Sequence, residues 1–199
     1  DENLEFAFDD KLGYLTQCPT NLGTGMRASV MLHLPALEKS RTIGRIAGNL
    51  SKLGLTIRGA YGEGSEPSGS LYQLSNQVTL GISEKAAIEN LENITKQLVS
   101  QEQQARERLA KSIDIQDSVS RSLGLLKSAM VMTHDEALKL LSNVRFGILS
   151  GQIKDVTAEV VDSLMEKIEP ATLMVNSGKN LSAQERDIER AKILREALS

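Results

Sequence analysis

The stretch Cys18-Pro-Thr-Asn-Leu-Gly-Thr-Gly-Met-Arg-Ala-Ser-Val30 decides the fold of the first half of the chain. It places a lone cysteine before a loop punctuated by glycines, and the loop leads into an alternating segment. Gly23 and Gly25 allow a positive φ and a close approach of the backbone to a ligand. Arg27 then follows as a fixed cation, with a fork of donors that suits phosphate oxygens.

A second stretch, Arg58-Gly-Ala-Tyr-Gly-Glu-Gly-Ser-Glu66, repeats this pattern and adds carboxylates. In phosphoryl transfer a protein mainly positions the nucleotide and neutralises charge, so arginines beside a glycine-rich backbone serve well. The two stretches together indicate phosphoryl transfer to a positively charged acceptor.

The composition limits the classes of protein that remain. The 199 residues suffice for one large domain, or for a domain with a smaller appendage, and 40% hydrophobic with 25% charged residues is typical of a soluble globular protein. A net charge of -3, 3% aromatic residues and no Trp argue against nucleic acid as a partner. One cysteine excludes an internal disulfide and favours a reducing cytoplasm. No apolar run approaches a membrane span, and we expect no signal peptide.

Residue periodicity predicts sheet strands with interleaved helices in the first half. Residues alternate from Met26 to Leu34, which places Arg27, Ser29, Met31 and His33 on one face of a strand. A single helix is predicted from Pro35 to Leu53, closed by Gly54. Short strands are predicted at 55–59 and 71–74. The first half is therefore α+β.

The second half is predicted to be helical. Ser83 is available as an N-cap, and Thr133-His-Asp-Glu136 and Ser182-Ala-Gln-Glu185 both have the pattern of a capping box. Gly151, Pro170 and the cluster at 176–180 divide the region into about four helices, which indicates a small bundle. A boundary within the polar run 101–108 gives domains at 1–105 and 106–199.

The stretch from Gly13 to Val30, together with Arg58-Gly59 and Gly62-Glu63, resembles the second half of the catalytic domain of phosphagen (guanidino) kinases. Metabolite kinases of that superfamily usually carry a histidine where Gly64 stands. With glycine at this position and the run Val-Met-Leu-His-Leu-Pro at 30–35, the sequence resembles the bacterial protein-arginine kinases. The resemblance implies an antiparallel sheet flanked by helices. It also implies that a nucleotide-binding first half of the catalytic domain precedes this sequence, so we expect the chain to be the C-terminal portion of a longer enzyme.

The resemblance also implies an ATP site that lies on both motifs, with Mg²⁺ held mainly through the nucleotide phosphates. A surface arginine with ordinary ion pairs is the alternative interpretation for each cation considered alone. His33 and His134 lack partners at metal-ligand spacing, so no metal site on the protein is predicted. The implied ATP-binding residues are Arg27, Ala28, Ser29, Val30, Met31, Arg58, Gly59, Ala60, Tyr61, Gly62 and Glu63.

Two residues are implied to act on the acceptor. A guanidinium is protonated at ordinary pH, so a carboxylate must orient it and accept its proton, and the family places Glu63 in that role. Cys18 is expected to position the guanidinium, since nearby positive charge favours a thiolate. The alternatives are a solvated loop glutamate and a small buried hydrophobic cysteine. Glu66 is expected to be a loop carboxylate.

The last helix contains Arg186-Asp187-x-x-Arg190-Ala191, with the two arginines four residues apart. Intrahelical ion pairs with Glu185 and Glu189 would explain these charges. The motif is nevertheless similar to the phosphoarginine-binding motif of protein-arginine kinases. That resemblance implies an allosteric site in which the arginines hold the phosphate and Asp187 takes the guanidinium.

The resemblance implies a cytoplasmic, ATP-dependent kinase of arginine side chains in proteins, which senses phosphoarginine-containing polypeptides and forms a homodimer. It further implies a bacterial stress response, an activator protein and the Clp protease as partners. A small-molecule guanidino kinase is one alternative, against which Gly64 and the helical appendage argue. A phosphoarginine-binding module without catalysis is the other.

Overall fold

The computed structural model describes residues 3–59 and 67–199, and the chain divides into two compact units. The first unit covers residues 1–67 and 71–102, and the second covers 68–70 and 103–199. Throughout the described residues, no helix combines the length and the apolar composition that a membrane crossing requires.

The first unit is built on two antiparallel sheets, so the predicted α+β class is confirmed. A small hairpin pairs β1 with β2, and a three-stranded sheet has the order β3-β5-β4, with the last strand in sequence at its centre. A 3₁₀ turn at Pro19–Asn21 interrupts the glycine loop. The strands and helices are β1 (Phe8–Asp9), β2 (Gly13–Tyr14), β3 (Ser29–His33), α1 (Pro35–Lys39), α2 (Ile43–Lys52), β4 (Leu55–Gly59), β5 (Leu71–Asn76) and α3 (Glu84–Leu109).

The predicted alternation places an apolar face of the three-stranded sheet against the core of this unit. Residues directly opposite each other in the register share a face, so Leu32 lies beside Tyr72, and Leu74 lies between Val30 and Ile57. Helical side chains complete the core. The buried hydrophobic residues of the unit include Leu32, Leu34, Leu37, Leu50, Leu55, Tyr72, Leu74, Leu91 and Leu98.

The prediction of one helix from Pro35 to Leu53 is wrong, because the chain forms α1 and α2 instead. Arg41 has a φ of 56°, in the left-handed region that ends a helix. Its N–H donates to the carbonyl of Glu38, and the N–H of Thr42 donates to that of Leu37. This pair of bonds is a Schellman motif. Glycine usually occupies the left-handed position, and because the sequence has Arg41 there, the end of the helix was not predicted.

A buried carboxylate caps α1 from a helix distant in sequence. Glu102 of α3 is 4% exposed, and its two oxygens accept hydrogen bonds of 2.9 Å from the N–H groups of Ala36 and Leu37. These two N–H groups have no partner within the helix, and a negative charge is favoured at a helix N-terminus. Glu102 therefore connects α3 to the start of α1 within the first unit.

The second unit contains five helices after α3, so the region after Ser83 forms six helices where about four were predicted. Pro170 separates two of them by starting a new helix three residues after the preceding one ends. The fully buried side chains of its core include Leu126, Leu141, Val144, Ile168 and Leu194. The helices are α4 (Ile113–Ser128), α5 (His134–Leu149), α6 (Ala158–Lys167), α7 (Pro170–Ser177) and α8 (Ala183–Leu198).

Both predicted N-cap residues of this unit, Ser182 and Thr133, cap their helices. Ser182 and Glu185 form the predicted capping box at α8: Oγ of Ser182 accepts from the N–H of Glu185, whose carboxylate accepts from the N–H of Ser182 at 2.8 Å. At α5, Oγ1 of Thr133 accepts from the N–H of Glu136 at 3.3 Å. Thr133 therefore caps α5 as an N-cap residue.

Candidate functional site

The antiparallel register brings the two predicted cationic residues to one face of the three-stranded sheet. Arg58 of β4 lies opposite Gln73 of β5, and Ser29 of β3 lies opposite Ser75. Arg27 precedes Ser29 by two residues and has the same orientation. We call this side the polar face, formed by Arg27, Ser29, Met31, Thr56, Arg58, Gln73 and Ser75.

Neutral side chains of the central strand hold both guanidinium groups. Arg58 donates from Nε and Nη2 to Oε1 of Gln73 at 3.1 and 3.0 Å. Arg27 donates from Nε and Nη2 to Oγ of Ser75 at 3.4 and 3.2 Å. Ser75 is fully buried, whereas Arg27 is exposed. The arrangement orients two cations on one surface, as binding of a polyanion such as a nucleotide phosphate chain requires.

Asn76 fixes the backbone on both sides of Arg27 and was not predicted. Its Oδ1 accepts from the N–H of Ala28 at 2.7 Å, and its Nδ2 donates to the carbonyls of Met26 and Val78 at 3.1 and 3.2 Å. Asn76 is 5% exposed. Ser75 and Asn76 point to opposite faces of β5, so one residue holds the side chain of Arg27 and the next holds its backbone.

Replacing Asn76 with Ala is expected to lower the free energy of unfolding by about 3 kcal/mol. The change strands the N–H of Ala28 and the carbonyl of Met26, and each buried polar group left without its partner costs roughly 1 to 3 kcal/mol. Urea unfolding monitored by circular dichroism measures the loss. Gln77→Ala, at the exposed next residue, is the matched control and should stay within about 0.5 kcal/mol of the parent. Equal losses in the two variants would contradict the role of Asn76.

The glycine loop is anchored to the segment after β5. Oγ1 of Thr79 donates to the carbonyls of Thr20 and Leu22 at 2.9 and 2.8 Å, and the N–H of Thr24 donates to the carbonyl of Thr79 at 2.9 Å. Gly23 has a φ of 109°, and a Cβ there would collide with the Thr79 carbonyl. Gly23 is therefore required for the close approach of the two backbones.

Cys18 is exposed at the start of the 3₁₀ turn. Its Sγ lies 3.0 Å from Oγ1 of Thr20, and the hydroxyl of Thr20, followed by its backbone N–H, lowers the pKa of the Cys18 thiol. Hydrogen bonds to the thiolate favour the charged form. The thiol thus lies at the surface with a lowered pKa, and a more readily formed thiolate suits contact with a cationic acceptor.

The other predicted ATP-binding residues divide between the two faces and the undescribed segment. Ser29 and Met31 lie on the polar face, whereas Val30 lies on the apolar face, so the side chain of Val30 points away from Arg58. The N–H of Ala28 is bonded to Asn76, and Gly59 is buried at the end of β4. The predicted site residues Ala60, Tyr61, Gly62 and Glu63 lie outside the described residues, as do Gly64 and Glu66.

The predicted phosphoarginine motif lies on the first half of α8, with its two arginines in different environments. Arg190 is 1% exposed, and it donates to the carbonyls of Ile168 and Met132 at 3.1 and 2.9 Å and to Oδ1 of Asp187 at 2.5 Å. Ala191 is buried beside it. Arg190 thus joins α8 to the end of α6 and to the segment before α5.

Arg186 and Asp187 are the accessible members of this motif. Arg186 is half-buried and donates from Nη1 to the carbonyl of Leu181 at 2.8 Å. The side chain of Asp187 is 25% exposed, and its backbone carbonyl accepts from the N–H of Met132 at 3.1 Å. A ligand at the surface of α8 would therefore meet Arg186 and Asp187 and not the enclosed guanidinium of Arg190.

Arg190→Ala is expected to lower the free energy of unfolding by about 3 to 5 kcal/mol, because it leaves the Asp187 carboxylate and two carbonyls without their donor. Chemical denaturation followed through the helical signal at 222 nm measures this loss. Arg186→Ala, which removes the same charge with one described hydrogen bond, should lose about 1 kcal/mol. A loss of under 1 kcal/mol in the Arg190 variant would show that these buried contacts do not support the unit.

Within residues 3–59 and 67–199, no three His, Cys, Asp or Glu side chains cluster in a way that could hold a metal ion. Nε2 of His134 lies 3.3 Å from a carboxylate oxygen of Glu169 and so takes part in a local contact of the second unit.

Comparison with known proteins gives the family. Residues 1–105 match the model of the ATP:guanido phosphotransferase C-terminal catalytic domain, and residues 112–199 match that of the C-terminal domain of the protein-arginine kinase McsB. The first match covers more than half of the 199 residues. The chain therefore belongs to the ATP:guanido phosphotransferase family, as its motifs predicted.

The similar proteins include curated kinases and a solved structure. Protein-arginine kinases of Halothermothrix orenii and Clostridium acetobutylicum are 52% and 48% identical over the whole chain, which spans 58% and 59% of their lengths. The structure of the duplicated taurocyamine kinase from Schistosoma mansoni with bound transition-state analogue components is 41% identical over 49% of this chain and 13% of that one, with a TM-score of 0.41.

Proposed function

We propose that this chain is part of an ATP-dependent protein-arginine kinase, which transfers the γ-phosphoryl group of ATP to arginine side chains of proteins. The observation that carries the proposal is the polar face, on which Arg27 and Arg58 are held on either side of β5. The similarity to proteins named protein-arginine kinase supports the choice of acceptor.

In this proposal Arg27 and Arg58 bind the phosphates of ATP, and the segments 27–31 and 58–63 line the nucleotide site. Phosphoryl transfer spreads charge over the equatorial oxygens of the transferred group, and two oriented guanidinium groups stabilise that charge. Mg²⁺, held mainly through the nucleotide phosphates, would neutralise further negative charge. Asn76 and Ser75 keep Arg27 in place while the phosphates bind.

Glu63 and Cys18 act on the acceptor in the same proposal. Glu63 orients the substrate guanidinium and accepts its proton, so that the freed nitrogen lone pair attacks the γ-phosphorus while ADP leaves. Cys18, whose thiol pKa is lowered by Thr20, contacts the guanidinium as a thiolate and positions it. Glu63 lies outside the described residues, and its role rests on its place in the second motif.

Substitutions separate the nucleotide-binding role from the acceptor role. Glu63→Gln is expected to reduce phosphoryl transfer by at least about 100-fold, a typical contribution of general acid–base catalysis, with little change in the Kd for Mg·ATP. Arg27→Ala and Arg58→Ala should each weaken Mg·ATP binding by about 10-fold or more, because each removes charge-assisted hydrogen bonds to phosphate. Calorimetry and a transfer assay on the protein expressed from its complete reading frame measure both quantities. Full transfer activity in the Glu63 variant would contradict its assignment.

We also propose that α8 binds phosphoarginine at an allosteric site of the second unit. Arg186 would bind the phosphate and Asp187 the guanidinium, so the ligand meets a charge of each sign. The burial of Arg190 alters its part in this proposal: it holds Asp187 and, with Ala191, anchors the helix, and it does not contact the ligand.

Calorimetric titration with phosphoarginine tests this site on the intact chain. Micromolar binding is expected, since charge-assisted hydrogen bonds contribute about 1.5 to 3 kcal/mol each before ordering costs are subtracted. Arg186→Ala and Asp187→Asn should abolish it without unfolding the protein, and Lys192→Ala, at an exposed position of the same helix, should bind as the parent does. Binding that is unchanged in the first two variants would place the ligand elsewhere.

The remaining parts of the proposal concern the cellular setting. The kinase would act in the bacterial cytoplasm during stress, as a homodimer with an activator protein, and its product would direct polypeptides to the Clp protease. Neither nucleic acid nor membrane is proposed as a partner. The family match also accommodates a small-molecule guanidino kinase, and Gly64 in place of the usual histidine favours a protein acceptor.

A further inference from the structure

Gln73 occupies the centre of the polar face and connects all three strands of the sheet. Its Oε1 accepts both hydrogen bonds from Arg58 of β4, at 3.0 and 3.1 Å, and its Nε2 donates to Oγ of Ser29 on β3 at 3.0 Å. The two ends of the amide thus have different partners, and a reversed amide would place its NH₂ group against the guanidinium. The amide orientation is therefore fixed by its neighbours.

This contact restrains Arg58 before any ligand binds. Arginine has several flexible torsions, and a free side chain loses their entropy when it binds phosphate. Gln73 receives Nε and Nη2, which restrains the plane of the guanidinium on the surface of the sheet. A guanidinium that is already oriented binds an anion with a smaller ordering penalty.

The chemistry of the holding group matters as much as its position. Glutamate has the same shape as glutamine and could accept the same two hydrogen bonds, and it would form an ion pair that binds Arg58 more strongly. It would also place a negative charge next to the phosphates and repel them. Glutamine supplies the acceptor without that charge. On the same face, the hydroxyl of Ser75 holds Arg27 by an acceptor that is likewise neutral.

We propose that Gln73 is a positioning residue that presents Arg58 to the phosphates of a nucleoside triphosphate and, by being neutral, leaves the positive potential of the polar face available to them. The inference rests on the proposed function, since it concerns the nucleotide site of that kinase. Gln73 acts through Arg58 and does not contact the phosphates itself.

The test is Gln73→Glu, measured against Gln77→Glu in the protein expressed from its complete reading frame. Both variants add one negative charge to the same stretch of chain by the same chemical change, and Gln77 is exposed beyond the end of β5. Isothermal titration with Mg·ATP should show at least a ten-fold higher Kd for Gln73→Glu and a change under two-fold for Gln77→Glu. The melting temperature of Gln73→Glu should equal or exceed that of the parent, because Ser29 can donate to the new carboxylate.

A purely structural role of Gln73 would leave the Kd for Mg·ATP of Gln73→Glu unchanged, since the carboxylate keeps the contacts of Arg58. Equal Mg·ATP affinity of the two variants, with the parent binding normally, overturns the role of Gln73 and leaves the proposed function intact. Absence of Mg·ATP binding by the parent overturns the proposed function and this inference with it. If Gln73→Glu does not fold, Gln73→Met decides. This variant removes the acceptor without adding charge, so we expect about a three-fold higher Kd, and an affinity within measurement error of the parent overturns the inference.

Discussion

The interaction on which the first unit depends is the amide of Asn76, which bridges the end of β5 to the backbone on both sides of Arg27. Three hydrogen bonds from one buried side chain fix a segment that lies outside the regular ladder of β3. A segment held this way cannot shift along β5 without stranding polar groups in the interior. Arg27 therefore stays in register with Ser75.

The central position of β5 explains why one strand organises both cations. In the order β3-β5-β4, the last strand in sequence contacts both strands that carry the arginines. From Tyr72 to Ser75 its side chains alternate between core residues on one face and acceptors on the polar face, so Gln73 and Ser75 hold guanidinium groups while Tyr72 and Leu74 are buried. The same alternation that builds the core thus orients the charges of the site.

The sequence was sufficient for the class of fold and for the side of the sheet that Arg27 takes, because alternation from Met26 to Leu34 fixes that side. It could not reveal Gln73, Ser75 and Asn76 as holding residues, since their roles depend on strand order, which periodicity does not encode. Had the strand predicted at 71–74 been extended to Asn76, its alternation would have placed Gln73 and Ser75 on one face. The helix break at Arg41 was missed because a non-glycine residue takes the left-handed conformation. The burial of Arg190 was not predicted either, because the carbonyls that accept its hydrogen bonds are distant in sequence.

The central claim is that the phosphoryl acceptor is arginine in proteins, and one measurement tests it most directly. The protein expressed from its complete reading frame is incubated with Mg·ATP and either unfolded casein or free arginine, and phosphorus nuclear magnetic resonance follows the acid-labile P–N bond. The account predicts phosphoarginine on casein and none on free arginine. Phosphorylation of free arginine with none on casein would contradict it and identify a metabolite kinase built on the same polar face.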